Sequence, residues 1–116
     1  MNVNFSFPEE TDFFSKDFYL SDKNDHDEGI ISFVKRYDGG RKLIVTLLPY
    51  GYDSSVTAEI VENDSVVSSI IRNKVTSLSF QGWGNEQAIR VYWEDADNEF
   101  LIYYDPEPRV FYGELT

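Results

Sequence analysis

The chain has 116 residues, 41% of them hydrophobic, no cysteine and a formal net charge of −11. That hydrophobic content argues for a folded core over disorder, and the lack of cysteine removes disulfides and thiolate metal sites. The charge repels phosphate and anionic lipid and favours a basic partner.

The charge is unevenly spread. Residues 1–29 carry eight acids and two bases, residues 30–74 five acids and six bases, and residues 75–116 eight acids and two bases. Length fits a single domain over residues 1–116, with residues 1–29 partly irregular. The start, Met1-Asn2-Val3-Asn4-Phe5, lacks the basic and apolar regions of a signal peptide. No apolar run approaches a membrane span. The expectation is a cytoplasmic protein.

Along the chain, Phe5 and Phe7 suit an edge strand, and Pro8-Glu9-Glu10-Thr11-Asp12 suits a helical turn with acids at its positive end. Ser21 to Glu28 reads as a solvated loop. Short β-branched and aromatic runs then recur about every ten residues between turn signals. They predict strands near 30–37, 42–48, 55–62, 65–72, 75–81, 88–94, 99–105 and 109–114. Residues 43–48 are apolar on both faces, which suits a central strand. Either Asp38-Gly39 or Gly39-Gly40 could turn the chain before them. The fold class is all-β with a minor helix near the N-terminus: an antiparallel meander closing as a small sandwich or a partly open barrel.

Two-residue hairpins at Asn63-Asp64 and Asn73-Lys74 would align Ile60, Val67 and Phe80, with Ala58, Ser69 and Leu78 beside them, on one mostly apolar face. A turn over Asp95–Asn98 would pair Trp93 with Phe100, Val91 with Ile102 and Ile89 with Tyr104 facing inward. Arg90, Tyr92 and Glu94 then face outward with Tyr103, Leu101 and Glu99. Ile60, Val67, Leu78, Phe80, Val91, Trp93, Phe100 and Ile102 are the expected core.

Chemistry-bearing patterns are sparse. A calcium loop starting at Asp22 needs Asp or Asn where His26 stands, Gly where Asp27 stands and Glu where Phe33 stands, so no metal is expected. His26 is the only histidine and lies in the most polar segment, unsuited to catalytic positioning. No nucleophile elbow, phosphate loop or dinucleotide fingerprint occurs. Glu94, Asp97 or Asp105 beside aromatics could serve a glycosidase, but acids at outward positions and turns serve solubility equally well. No enzyme activity and no cofactor are expected. Lys35, Arg36, Arg41 and Lys42 bracket one hairpin; the net charge opposes nucleic acid there, and local balancing of acids is the better account. Trp83, between Gly82 and Gly84, either covers the end of the core or anchors a partner.

The segment Tyr92-Trp93-Glu94-Asp95-Ala96-Asp97-Asn98-Glu99 combines carboxylates with aromatic rings. With it, the chain's size, acidity and lack of a catalytic set resemble the immunity proteins that accompany secreted bacterial toxins. The resemblance implies a bacterial, non-catalytic inhibitor with a cognate toxin as partner. That class spans several folds, so it assigns no residues.

Strand parity and charge instead point to Trp83, Tyr92, Glu94, Asp95, Asp97, Glu99, Tyr103 and Asp105 as the face for a basic protein, a nuclease among the candidates. The acidic stretch Asp22 to Glu28 is the next choice. No nucleic-acid or membrane partner is expected. The competing readings are a carbohydrate-binding module, which needs exposed coplanar aromatics, and a phage-type DNA mimic, which needs carboxylates at phosphate-like spacing.

Overall fold

The computed structural model describes residues 6–50, 54–93 and 98–114. In chain order they form α1 (Glu10–Phe14), β1 (Tyr19–Leu20), β2 (Ile31–Arg36), β3 (Arg41–Leu48), β4 (Ser55–Glu62), β5 (Ser65–Asn73), β6 (Val75–Trp83), β7 (Glu86–Trp93), β8 (Asn98–Asp105) and β9 (Arg109–Glu114). The strands make two antiparallel meanders, β1-β2-β3-β4-β5 and β6-β7-β8-β9. The sheets pack as a sandwich, not a barrel: one buried cluster joins Phe33, Val45 and Ala58 to Leu78, Ile89 and Phe100. The all-β expectation holds, and β3 is the central strand of its sheet.

Charge divides along the same line as topology. The second sheet lies wholly in the acidic block 75–116, and β2 to β5 lie in the near-neutral block 30–74.

Turn chemistry accounts for the connections. Asn63 and Asp64 both have positive φ, 50° and 67°, as a two-residue hairpin of this hand requires. At the β2–β3 turn neither two-residue option forms. Tyr37 N–H donates to the Arg41 carbonyl at 2.9 Å, so Asp38, Gly39 and Gly40 all turn, with both glycines at positive φ.

The alignment across β5 and β6 is corrected. Asn73-Lys74 is not a hairpin, because the chain leaves the first sheet there and β6 begins the second. Val75 N–H donates to the Ser54 carbonyl at 3.3 Å, and Phe80 pairs with Ile89. A bulge beside Ile60 and Val61 also shifts β5 by one residue, so Ile60 faces Ser68, Ala58 faces Ile70 and Val56 faces Arg72. Such a slip exchanges the faces of a strand. Val67 accordingly points out of the core and is 55% exposed.

The β7–β8 register differs by two residues: Val91 pairs with Phe100 and Ile89 with Ile102. An even slip keeps each side chain on its face, so Val91, Phe100 and Ile102 are buried as expected, with Ile60 and Leu78. Phe80 and Trp93 are partly buried against the core. Trp93 stacks on Tyr112 at 6.0 Å, and the Arg72 guanidinium lies 3.7 Å over the Tyr112 ring. That ladder closes one side of the sandwich between β5 and β9. Arg72 Nε is buried there without a hydrogen-bond partner among the described residues.

The N-terminal segment contributes more core than its sequence suggests. Glu9 N–H donates to the Asp12 carboxylate at 3.2 Å, completing a capping box that starts α1. The helix turns Phe13 fully into the core, where it stacks on Phe33 at 4.0 Å. Its ring also meets Phe80 at 5.0 Å and Phe18 at 5.6 Å edge-on. The expected strand from Phe5 and Phe7 reduces to one parallel bridge, Ser6 to Ser77; Phe5 lies outside the described residues.

Farther on, the loop after β1 is pinned over the outer face of the first sheet. Ser21 Oγ donates to Ser32 Oγ at 2.6 Å, and Asn24 Oδ1 accepts from Ser32 N–H at 3.0 Å. Lys23 pairs with Glu59.

The end of the sandwich near the β2–β3 turn is tied by Tyr37, whose hydroxyl donates to the Tyr104 carbonyl at 2.5 Å, and by Arg41 with Glu107 at 3.3 Å. Burial, then the charge of Asp105, pushes the Tyr37 phenol well above its ordinary range. The same two causes push Tyr104 up to about 12. A raised phenol favours the neutral folded form. Its contribution is complete below the unfolded value of about 10 and is lost as pH climbs from there toward the folded value. Urea unfolding should therefore show stability falling above about pH 10. Tyr37→Phe should flatten that fall while costing about 0.5–1.5 kcal/mol at neutral pH through the lost hydrogen bond.

Candidate partner-binding face

The outer face of the second sheet is built from alternate residues of four strands. Gln81, Ala88, Tyr103 and Arg109 form one cross-strand row, and Ser79, Arg90, Leu101 and Phe111 form the next. Tyr92 and Glu99 flank the second row. The expected outward set Arg90, Tyr92, Glu99, Leu101 and Tyr103 thus does share one face. Leu101 is nevertheless only 5% exposed, because long side chains on both sides cover it.

Two arginines organise this face. Arg90 lies 5.1 Å over the Tyr92 ring, with Nη1 3.6 Å from Glu99. Arg109 lies 3.7 Å over the Tyr103 ring, and its Nη2 donates to both oxygens of Glu86 at 2.9 and 3.0 Å. The Glu86 hydrogen bond raises the Arg109 pKa above its ordinary value. Gln81 Nε2 donates to the Tyr92 hydroxyl at 2.9 Å. The Glu99 carboxylate, expected to face a partner freely, is therefore already matched by a base of its own sheet, as is Glu86.

Asp105 stands apart from this group. A bulge between Gln87 and Ala88 sets Gln87 against Asp105 at the end of β8. There Asp105 borders a cleft of about 210 Å³ with Lys16, Asp17, Lys35, Gln87 and Tyr104. Lys35 Nζ donates to the Lys16 carbonyl at 2.9 Å and lies 3.9 Å from Asp17, so of the basic cluster Lys35, like Arg41 with Glu107, faces an acid. Glu94, Asp95 and Asp97 lie outside the described residues, as does the Trp83 side chain. Arg109, Glu86 and Phe111 were not anticipated. The alternation of 109–114 beside 99–105 was the available signal for Arg109 and Phe111.

The acidic N-terminal block gathers around α1 and the turn at His26–Glu28. His26 Nε2 lies 3.5 Å from Glu10. The Asp25 carboxylate caps that turn, accepting from Asp27 and Glu28 N–H at 3.1 and 3.3 Å. Among the described residues no three His, Asp or Glu side chains converge as metal ligands. No helix among them is long and apolar enough to cross a membrane.

A scan against protein-family models finds no match, and a search of curated proteins finds none. Among solved structures, the chain is similar to a chain of a contact-dependent growth inhibition toxin–immunity protein complex from Klebsiella pneumoniae 342. The superposition has a TM-score of 0.77 and 13% identity, and covers 98% of this chain and 100% of the other. At that identity, the likeness shows a shared fold.

Proposed function

We propose that this chain is a non-catalytic immunity protein that neutralises a basic toxin, a nuclease being the best fit, by direct binding in the cytoplasm. The observation that carries the reading is the full-length likeness to a chain of a toxin–immunity complex, met in a protein of net charge −11. Concentration of acids in the block that forms one sheet gives a field suited to steering a Lys- and Arg-rich partner. The partner meets the outer face through Tyr92, Glu99 and Tyr103, and Asp105 extends the contact toward the neighbouring cleft; Trp83, Glu94, Asp95 and Asp97 complete the proposed set from the sequence.

The competing readings fit less well. A sugar-stacking site needs free ring faces, whereas Arg109 covers Tyr103 and Arg90 approaches Tyr92. A phosphate-mimicking surface needs free carboxylates, and Glu86 and Glu99 are ion-paired.

Growth rescue tests the reading. Reading frames neighbouring this one are expressed singly; one of them should arrest growth, and co-expression of this chain should restore it. Continued arrest despite soluble co-expression would count against the proposal.

A further inference from the structure

Beyond the toxin reading, and independent of it, we infer that β5 is a self-association edge: two copies pair their β5 strands antiparallel and extend the first sheet. The strand is the last of its sheet, spans nine residues, Ser65–Asn73, and contains no acid in a chain with 21 of them. Long uncharged edges template strand addition, and proteins ordinarily blunt them with charge or cover.

The other edges are less open. β1 has two residues, β6 is bridged by Ser6, and β9 is shorter, six residues carrying Arg109 and Glu114. The loop pinned at Ser21, Lys23 and Asn24 reaches Glu59 on β4. Beyond it, Val66, Val67 and Ile71 remain 54%, 55% and 52% exposed. The one charge on β5, Arg72, turns inward onto Tyr112 and leaves the free edge neutral.

The occupant is a second copy because the strand is self-complementary. A two-fold axis through Ser69 sets Val67 opposite Ile71 of the copy, twice, around a Ser69–Ser69 pair. Asp64 and Lys74 sit on the turns at opposite ends of β5, so the antiparallel copy brings each Asp64 toward the other's Lys74. An isologous contact of this kind closes at two chains. It also joins the two copies through the near-neutral block 30–74.

Sedimentation and a single-cysteine crosslink test this in the full chain. The unsubstituted protein should shift from monomer to dimer between micromolar and millimolar concentration. Ser69→Cys, the only thiol then present, should give a disulfide dimer under mild oxidation, and Thr57→Cys, one strand inward, should not. Ile71→Lys should weaken dimerisation about tenfold or more through two lost cross-strand pairs, with an unchanged circular dichroism spectrum. Val67→Lys should act alike. A monomer throughout the concentration range would overturn the inference. So would a dimer that is indifferent to Ile71→Lys and Val67→Lys and yields no Ser69→Cys crosslink. Toxin binding in the dimerisation-deficient variants should persist, so failure of either proposal can be told from failure of the other.

Discussion

Phe13→Ala should destabilise the fold by about 3–5 kcal/mol, a large part of the roughly 5–15 kcal/mol that holds a domain together. Phe13 is fully buried and contacts Phe33 of the first sheet, Phe80 of the second and Phe18 in the N-terminal segment. Its removal opens a cavity where the three meet. Phe14 beside it is 40% exposed, so Phe14→Ala should cost about 1 kcal/mol or less. Chemical denaturation of the two variants makes the comparison. Equal, small losses would mean that α1 merely rests on the sandwich.

The second large effect concerns association. Glu94→Lys with Asp97→Lys changes the charge by four and should slow binding to a basic partner by about tenfold or more, flattening its salt dependence. Stability should barely move if the sequence expectation of a solvated turn is right, since charges in such turns contribute about 0–1 kcal/mol each. Stopped-flow or surface-based kinetics at two ionic strengths, beside a melting curve, separates the effects. Unchanged kinetics would make this hairpin a solvated face and turn attention to the acids from Asp22 to Glu28. Arg109→Ala supplies the contrast: it frees Glu86, makes the face more negative and should speed association.

Much of the fold was legible because its strands are short β-branched and aromatic runs separated by residues that tolerate left-handed backbone. The hairpin at Asn63 and Asp64 follows from local chemistry alone. What failed was pairing that local chemistry does not determine. Val66-Val67, Ser68-Ser69 and Ile70-Ile71 come in doublets, so either face of β5 reads equally apolar, and period-two patterning cannot choose a register. Lys74 has φ 59°, a value that fits a hairpin, yet the chain changes sheets there because the first sheet ends with β5. Phe13 and Phe18 sit among acids at spacings without strand alternation, and a five-residue helix is too short to show its period.

The candidate face followed a similar course. Parity alone set Tyr92, Glu99 and Tyr103 together, because an even slip preserves faces. Their ion-pair partners depend on the register itself. The expected pairing put Arg90 against Tyr103, whereas the observed one sets it beside Leu101 and within reach of Glu99. Arg109 enters from β9, a strand identified in the sequence but not assigned a neighbour.

The central claim is that this chain binds and silences a basic toxin without doing chemistry on it. Its most direct test is titration of the purified chain against the toxin identified by growth rescue, at low and at physiological salt, with toxin activity followed in the same samples. The expected result is a tight complex of one toxin per chain that forms faster at low salt, with activity lost in proportion to complex formed and the toxin recovered covalently intact after denaturing separation. No complex at either salt, or inhibition by substoichiometric amounts of the chain that leaves the toxin covalently altered, would contradict it.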